Sequence, residues 1–208
     1  LDPNLPAFSF DRIFRESYPD QVTYLPQARI TSVDPYKRRI VTEFETIDFA
    51  DAILMPPQQA ADLAWESGLI GRTADGKTSG WAPCDPVTLN VPGDERVFLV
   101  GDLLDRVSPL FGQYPKTGQI AARQGQIAAR QIAARASGTN PERQLPDSTC
   151  YVLSRPEPRE LTRIETSYRF RGDGVIQQTV RQQHDPQAGD EDLDWARRQF
   201  GELLAAPG

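Results

Sequence analysis

The fold prediction for this chain depends on Val97-Phe98-Leu99-Val100-Gly101-Asp102, followed after a loop by Tyr114-Pro115-Lys116-Thr117-Gly118. The first segment is apolar up to its Gly-Asp end, which predicts a fully buried strand that ends at Asp102. Thr117 is suited to cap a helix that runs to about Ala136 and stops at Gly138. A buried strand, a Gly-Asp end, a loop and a capped helix, in this order, are typical of a dinucleotide site.

Each part of this arrangement has a chemical use. A carboxylate at the strand end, Asp102, can accept hydrogen bonds from ribose or ribityl hydroxyls. The free amides of the helix N-terminus favour negative charge, such as that on an anionic flavin ring edge. Gly101 lets the backbone approach a ligand closely. The pattern alone also fits an ordinary turn aspartate after a buried strand.

The helix that follows has an unusual composition. The string Gln-Ile-Ala-Ala-Arg begins at 119, at 126 and at 131, which puts Ile120, Ile127 and Ala134 on one stripe. We interpret this stripe as a surface for close helix packing. The period is too short for a structural repeat array.

The residues before 97 predict a series of short elements. We expect a helix over 8–18 capped by Ser9, and a helix over 59–67 that ends at Gly68. Strands are predicted at 22–25, at 28–34 and 39–44 as a hairpin, and at 49–55 before Pro56-Pro57. Leu1-Asp2-Pro3-Asn4 is typical of a strand end entering a loop, so we expect an N-terminal half to precede it.

The residues after 140 predict a small α+β tail. Thr149 to Leu153 is typical of a strand, and 164–170 with 175–183 predict a hairpin across Gly172-Asp173-Gly174. A final amphipathic helix follows the acidic segment 190–194, with apolar positions at Leu193, Phe200, Leu203 and Leu204.

Composition excludes several classes of protein. The net charge of −6 over 208 residues argues against a nucleic-acid partner. No segment has the roughly 20 apolar residues of a membrane span, and no signal peptide opens the chain. Two cysteines and one histidine cannot form a disulfide scaffold or a four-ligand metal site, so no metal is predicted. His184 lies in a polar run, which favours an exposed loop residue over a catalytic one.

The order of several motifs resembles the flavin subunit of flavocytochrome c sulfide dehydrogenases, over almost the whole chain. The motifs are Pro56-Pro57, Gly80-Trp81-Ala82-Pro83-Cys84-Asp85, Val97–Asp102, Tyr114-Pro115-Lys116-Thr117-Gly118 and Thr149-Cys150-Tyr151. The most specific feature is the Pro-Lys-Thr-Gly segment together with the downstream Thr-Cys-Tyr.

The resemblance implies an α/β chain with an α+β tail, as part of a flavoprotein fold with two dinucleotide-binding domains. Residues 1–56 would end the central, NAD-like domain, and 57–140 would form the C-terminal half of the FAD-binding domain. Residues 141–208 would form the small C-terminal α+β domain peculiar to this family.

The resemblance also implies FAD as the cofactor and a set of site residues. Gly101 and Asp102 would hold the ribityl chain, and Pro115, Lys116, Thr117 and Gly118 would lie beside the isoalloxazine. Cys150 would be the catalytic residue, as one half of a redox disulfide that sulfide attacks. The electrons would pass in a pair to FAD and singly to a cytochrome c subunit, in the periplasm.

Other parts of the family pattern fall outside this sequence. The second redox cysteine, the flavin-attachment cysteine and the Gly-rich phosphate loop belong to the N-terminal half, and no G-x-G-x-x-G motif occurs here. We therefore expect that half and a cytochrome c subunit as partners. Cys84 is interpreted as structural, and whether it is bonded to Cys150 or free stays open.

Two alternatives remain at this point. The chain fits a flavin disulfide-reductase relative with different substrate chemistry, in which Cys150 only packs. It also fits a non-catalytic partner or assembly subunit that keeps the fold without FAD.

Overall fold

A short helix opens the part of the chain that the structure describes. The computed structural model describes residues 9–204, without the side chain of Leu203, so Leu1-Asp2-Pro3-Asn4 lies outside it. Helix α1 (Phe10–Ser17) begins after Ser9, whose hydroxyl oxygen accepts a hydrogen bond from the Arg12 amide at 3.4 Å. The predicted helix and its cap are confirmed for these residues.

Three antiparallel strands follow α1, in the order β1 (Ile30–Asp34), β2 (Arg39–Thr42) and β3 (Thr46–Asp48). The predicted hairpin is confirmed by the pairing of Val33 with Ile40, which itself pairs with Ile47. The Asp34 carboxylate accepts hydrogen bonds from the amides of Tyr36 and Lys37 and so closes the turn between β1 and β2.

Two predicted strands of this region are wrong. Residues 22–25 and 49–55 belong to no strand, and residues 51–55 are exposed, with Ile53 at 98%. The third strand is instead the shorter segment 46–48. An apolar run forms a strand only where a neighbouring backbone completes its hydrogen bonds. The Phe49 amide donates to the Arg38 carbonyl oxygen at 2.9 Å, but residues 50–55 pair with no other backbone among the described residues.

The described residues divide into two compact units, and the boundary along the chain falls between Gln58 and Gln59. In the second unit, α2 (Asp62–Glu66) is shorter than predicted and ends near Gly68, which has a φ of 69°. The identity of the units as parts of flavoprotein domains stays a prediction.

The fully buried strand predicted at 97–102 is also wrong in its limits. The strand β5 covers Asp94–Phe98 and pairs antiparallel with β4 (Asn90–Val91), while Val97 is 38% exposed. Leu99 is buried, but Gly101–Leu103 form a 3₁₀ turn. Pairing with β4 extends β5 to residues before Val97. Gly101 turns the chain after Val100, so the strand does not continue to Asp102.

Helix α3 (Gly118–Ala136) confirms the predicted helix, its Thr117 cap and its stop at Gly138. Ile120 and Ile127 of the predicted stripe are buried, and Ala134 is half-buried.

The C-terminal residues form a second three-stranded antiparallel sheet, in the order β6 (Ser148–Pro156), β7 (Arg159–Phe170) and β8 (Ile176–Asp185). The predicted hairpin across 172–174 is confirmed. Helix α4 (Glu191–Leu204) ends the described residues, with Phe200 and Leu204 exposed. His184 lies on β8 with Nδ1 3.3 Å from the Thr162 hydroxyl, so the prediction of an exposed loop histidine is wrong.

Two clusters of buried apolar side chains form the interior of the unit that begins at Gln59. The first core contains Ala82, Leu89, Leu99, Leu104, Ile127 and Ala128. The second core contains Val107, Tyr114, Ile120, Tyr168 and Ile176. Helix α3 contributes to both, so it ties the β4–β5 hairpin to the C-terminal sheet.

The chain is therefore a mixed α and β protein, as predicted, and every pair of named strands in residues 9–204 is antiparallel. Within the same residues, no helix has both the length and the apolar character needed to cross a membrane.

Candidate functional site

The predicted site residues 101–118 lie where the 3₁₀ turn approaches the N-terminal part of α3. Gly101 has a φ of 77°, and a Cβ added there would lie 3.3 Å from the Cβ of Ala121. A side chain at this position would therefore be strained and crowded. Glycine permits close contact between the turn and α3.

A buried glutamine fixes the position of this turn. Gln124 of α3 is fully buried, and its Oε1 accepts a hydrogen bond from the Gly101 amide at 2.6 Å. Its Nε2 is buried without a hydrogen-bond partner among the described residues. The role of Gln124 was not predicted from the sequence, because α3 contains four glutamines and no local pattern distinguishes this one.

The N-terminus of α3 offers unused donors. The Thr117 hydroxyl accepts a hydrogen bond from the Ile120 amide at 3.3 Å, as a capping side chain does. The amides of Gly118 and Gln119 have no acceptor in the described part of the chain. These two donors, at the positive end of the helix dipole, can stabilise an anionic group.

Lys116 lies across the loop before α3. Its Nζ donates hydrogen bonds to the carbonyl oxygens of Asp102 at 2.5 Å and Leu104 at 3.1 Å, and lies 3.6 Å from the centre of the Trp81 ring. Burial lowers the pKa of the Lys116 ammonium, while the carboxylates of Asp102 and Asp105 oppose this effect. The ammonium holds the loop to the 3₁₀ turn.

The remaining residues of the predicted flavin contact are more exposed. The side chain of Asp102 is at the surface and lines none of three clefts in the described residues, those beside Tyr151, Gln119 and Trp81. Pro115 is exposed, and its carbonyl oxygen accepts a hydrogen bond from the Thr117 amide at 3.0 Å. Gly118 has nothing within 4 Å of an added Cβ.

The predicted catalytic residue Cys150 lies on β6, the edge strand of the C-terminal sheet, as an exposed free thiol. The amide of its neighbour Thr149 donates a hydrogen bond to Oε1 of Gln119 at 3.0 Å. This bond brings the Cys150 strand to the first turn of α3. Partial burial raises the pKa of the Cys150 thiol above its usual value.

Cys84 has a different environment. It packs against both cores and is also a free thiol, so the structure contains no Cys84–Cys150 disulfide. Burial, with smaller contributions from Asp85 and Asp105, raises the pKa of Cys84 to about 12. A buried thiol with so little thiolate is a packing residue.

Three aromatic rings pack beside the predicted site. The ring centres of Phe111, Tyr114 and Tyr168 lie 4.8–5.7 Å apart. The Tyr114 hydroxyl is buried without a partner among residues 9–204, and burial raises its pKa. This cluster links the loop before α3 to β7 and was not predicted from the sequence.

A search of protein-family models finds none that matches this chain.

Proposed function

We propose that the protein is an FAD-dependent oxidoreductase that oxidises sulfide or a related sulfur compound and passes the electrons to a cytochrome c, with periplasmic location. The observation that carries this proposal is the hydrogen bond between the Thr149 amide and Gln119. It brings the strand of an exposed cysteine to a helix N-terminus with two unused amide donors. A redox-active cysteine and an anion-stabilising turn are two parts that such chemistry requires.

The residues present fit a flavin ring edge better than they fit the rest of FAD. The amides of Gly118 and Gln119 would hold the anionic edge of the isoalloxazine, and the Lys116 ammonium adds positive charge to the same loop. Asp102 would accept hydrogen bonds from the ribityl hydroxyls. When bound, FAD would supply a two-electron acceptor beside the sulfur chemistry.

Cys150 would act as one sulfur of a disulfide whose other cysteine lies outside this sequence. Attack of HS⁻ on the disulfide breaks the S–S bond, forms a persulfide on the attacked sulfur and releases the other sulfur as a thiolate. The electron pair of that thiolate is the pair destined for the flavin, and the cytochrome then takes the electrons one at a time. Because Cys150 is exposed on an edge strand, sulfide could reach it directly.

The first experiment tests flavin and activity together in the full-length protein. We expect the visible absorption of a bound flavin and a sulfide-dependent reduction of cytochrome c. Cys150→Ser should abolish the reduction and keep the flavin spectrum. Leu153→Ser, at another exposed position of β6, should retain the activity. Full activity of Cys150→Ser would contradict the catalytic role.

A second experiment tests the cofactor contact of Asp102. Asp102→Ala should weaken FAD binding by about 1–3 kcal/mol, because a hydrogen-bonding partner of the ligand is lost. Glu95→Ala, which removes an exposed carboxylate on β5, is the matched control. Equal FAD affinity of Asp102→Ala and the wild-type protein would remove Asp102 from the site.

A second candidate function is a non-catalytic partner or assembly subunit without FAD. The exposure of Asp102, and the use of Lys116 in contacts with Trp81 and two backbone carbonyls, favour this candidate. A colourless protein purified from cells with ample FAD would support it over the oxidoreductase.

A further inference from the structure

A polar cleft of about 540 Å³ lies between the first turns of α3 and the C-terminal sheet. On the sheet side, Thr149 pairs with Glu165, which pairs with Arg181, so the three residues form one row across β6, β7 and β8. On the helix side, the cleft is lined by Gln119 and Arg123. The hydrogen bond from the Thr149 amide to Gln119 joins the two sides.

The carboxylates that line this cleft already have partners. Oδ1 of Asp147 accepts a hydrogen bond from the Tyr168 amide at 3.0 Å, and Glu165 forms an ion pair with Arg163. Neither carboxylate forms an ion pair with the arginines of the cleft. The acidic groups therefore leave those arginines available for a ligand.

The arginines of the cleft are less engaged. Arg181 is exposed and forms no ion pair with any residue that the structure describes. Arg123 forms one ion pair, at 3.5 Å, with the half-exposed Glu202 of α4, and its Nη1 donates a hydrogen bond to Oε1 of Gln126 at 3.3 Å. A guanidinium with free N–H groups binds planar or tetrahedral oxyanions through paired hydrogen bonds.

Side-chain hydroxyls add further donors to the same cleft. Two of these hydroxyls, those of Thr149 and Ser167, lie on the same face of the sheet as Glu165 and Arg181, and neither has a hydrogen-bond partner in the described chain. The Nε2 group of Gln119 is also unused, because Gln119 accepts through Oε1. Each of these groups can donate a hydrogen bond to an anion, although the chain as a whole has a net charge of −6.

We propose that this cleft binds a small molecule through an oxyanion, a phosphate or a carboxylate, held by Arg123 and Arg181 with the hydroxyls around them. Its volume lies within the usual range of ligand sites, roughly 300–1,000 Å³. The rest of the ligand should be polar, because hydroxyl and amide groups line the rest of the cleft. Side chains alternate along a strand, so Cys150 points to the opposite face of β6 from Thr149. The site therefore does not depend on the proposed sulfur chemistry.

Calorimetric titration of the purified full-length protein tests this proposal. Inorganic phosphate and acetate are titrated separately, with sodium chloride keeping the ionic strength constant. We expect saturable binding at one site, weakened roughly ten-fold or more in Arg181→Gln and in Arg123→Gln, because a charged hydrogen-bond donor is lost. Arg181→Lys should bind with intermediate affinity, since it keeps the charge without the planar fork.

Arg198→Gln is the matched control. Arg198 is an exposed arginine of α4 that lines none of the three clefts, and its loss changes the net charge equally. Its affinity should equal that of the wild-type protein, and thermal unfolding should show that all variants are folded.

Tighter binding of phosphate assigns a phosphate ligand, and tighter binding of acetate assigns a carboxylate. The proposal is overturned if neither anion binds saturably, or if Arg181→Gln binds as well as Arg198→Gln. Flavin content and cytochrome c reduction, measured on the same variants, are expected to be unchanged.

Discussion

Gly101 shows how one residue determines the contact between a turn and a helix. Its φ of 77° and the 3.3 Å approach of the Ala121 Cβ both disfavour a side chain. We expect Gly101→Ala to lower the free energy of unfolding by about 1–3 kcal/mol, through backbone strain and crowding. Urea denaturation followed by circular dichroism would measure the change.

Gly125→Ala in α3 is the control, because Gly125 has an ordinary helical backbone and nothing lies within 4 Å of an added Cβ. That substitution should raise stability by up to about 1 kcal/mol. Equal effects of the two substitutions would show that the conformation at Gly101 is not restrictive.

The two cysteines should differ in reactivity. Cys150 is exposed, whereas Cys84 packs against both cores and has a pKa of about 12. Iodoacetamide should therefore label Cys150 in the native, reduced protein and label Cys84 only after unfolding. Peptide mass spectrometry after timed labelling would distinguish the two, and native labelling of Cys84 at the rate of Cys150 would contradict the burial of Cys84.

At the scale of an element, α3 depends on its N-cap residue, Thr117. Thr117 has extended backbone angles, and its hydroxyl accepts a hydrogen bond from the Ile120 amide. Thr117→Ala should lower the free energy of unfolding by about 1 kcal/mol, because a helix amide loses its acceptor. Thr117→Ser keeps the acceptor and should be nearly neutral. A loss in both variants would point to the threonine methyl group instead, and urea denaturation would again be the measurement.

The elements that the sequence predicted correctly are those with a complete local signal. Helix α3 has a cap, a periodic stripe and a glycine stop, and the β7–β8 hairpin has a glycine turn. Residues 49–55 carry a single signal, their mostly apolar character. A strand there would also need a neighbouring strand as its partner, and no local pattern specifies whether such a partner exists. The antiparallel pairing of β5 with β4 was not predicted either, because the short strand β4 has no local signal of its own.

The candidate site was only partly predictable. Local patterns gave the turn at Gly101 and the cap at Thr117. The hydrogen bonds of Gln124 with Gly101 and of Gln119 with Thr149 join residues 23 and 30 positions apart. Such contacts follow from the packing of α3 between two sheets, which the sequence pattern does not encode locally.

For the whole molecule, the buried thiol and phenols make stability sensitive to alkaline pH. Burial raises the pKa of Cys84 from 9.0 to about 12 and also raises that of Tyr114 and Tyr168. The folded state thus holds these protons more tightly than the unfolded state does. The stabilisation is complete below about pH 9 and should be lost as the pH rises towards 12.

Thermal unfolding measured at several pH values between 9 and 12 would test this dependence. Cys84→Ala should reduce the slope of stability against pH, whatever it does to the absolute value. Cys150→Ala should change the slope less, because Cys150 is more exposed. An unchanged slope in Cys84→Ala would show that the thiol does not titrate in the folded protein.

The ammonium of Lys116 lies over the indole ring of Trp81. It also donates hydrogen bonds to the carbonyl oxygens of Asp102 and Leu104, in and just after the 3₁₀ turn. The fluorescence of Trp81 should therefore report on the position of the Lys116 ammonium. A molecule that pulled the lysine away would remove a positive charge from the indole and shift its fluorescence. A Trp81→Phe variant would isolate that signal from the other tryptophans, Trp65 and Trp195.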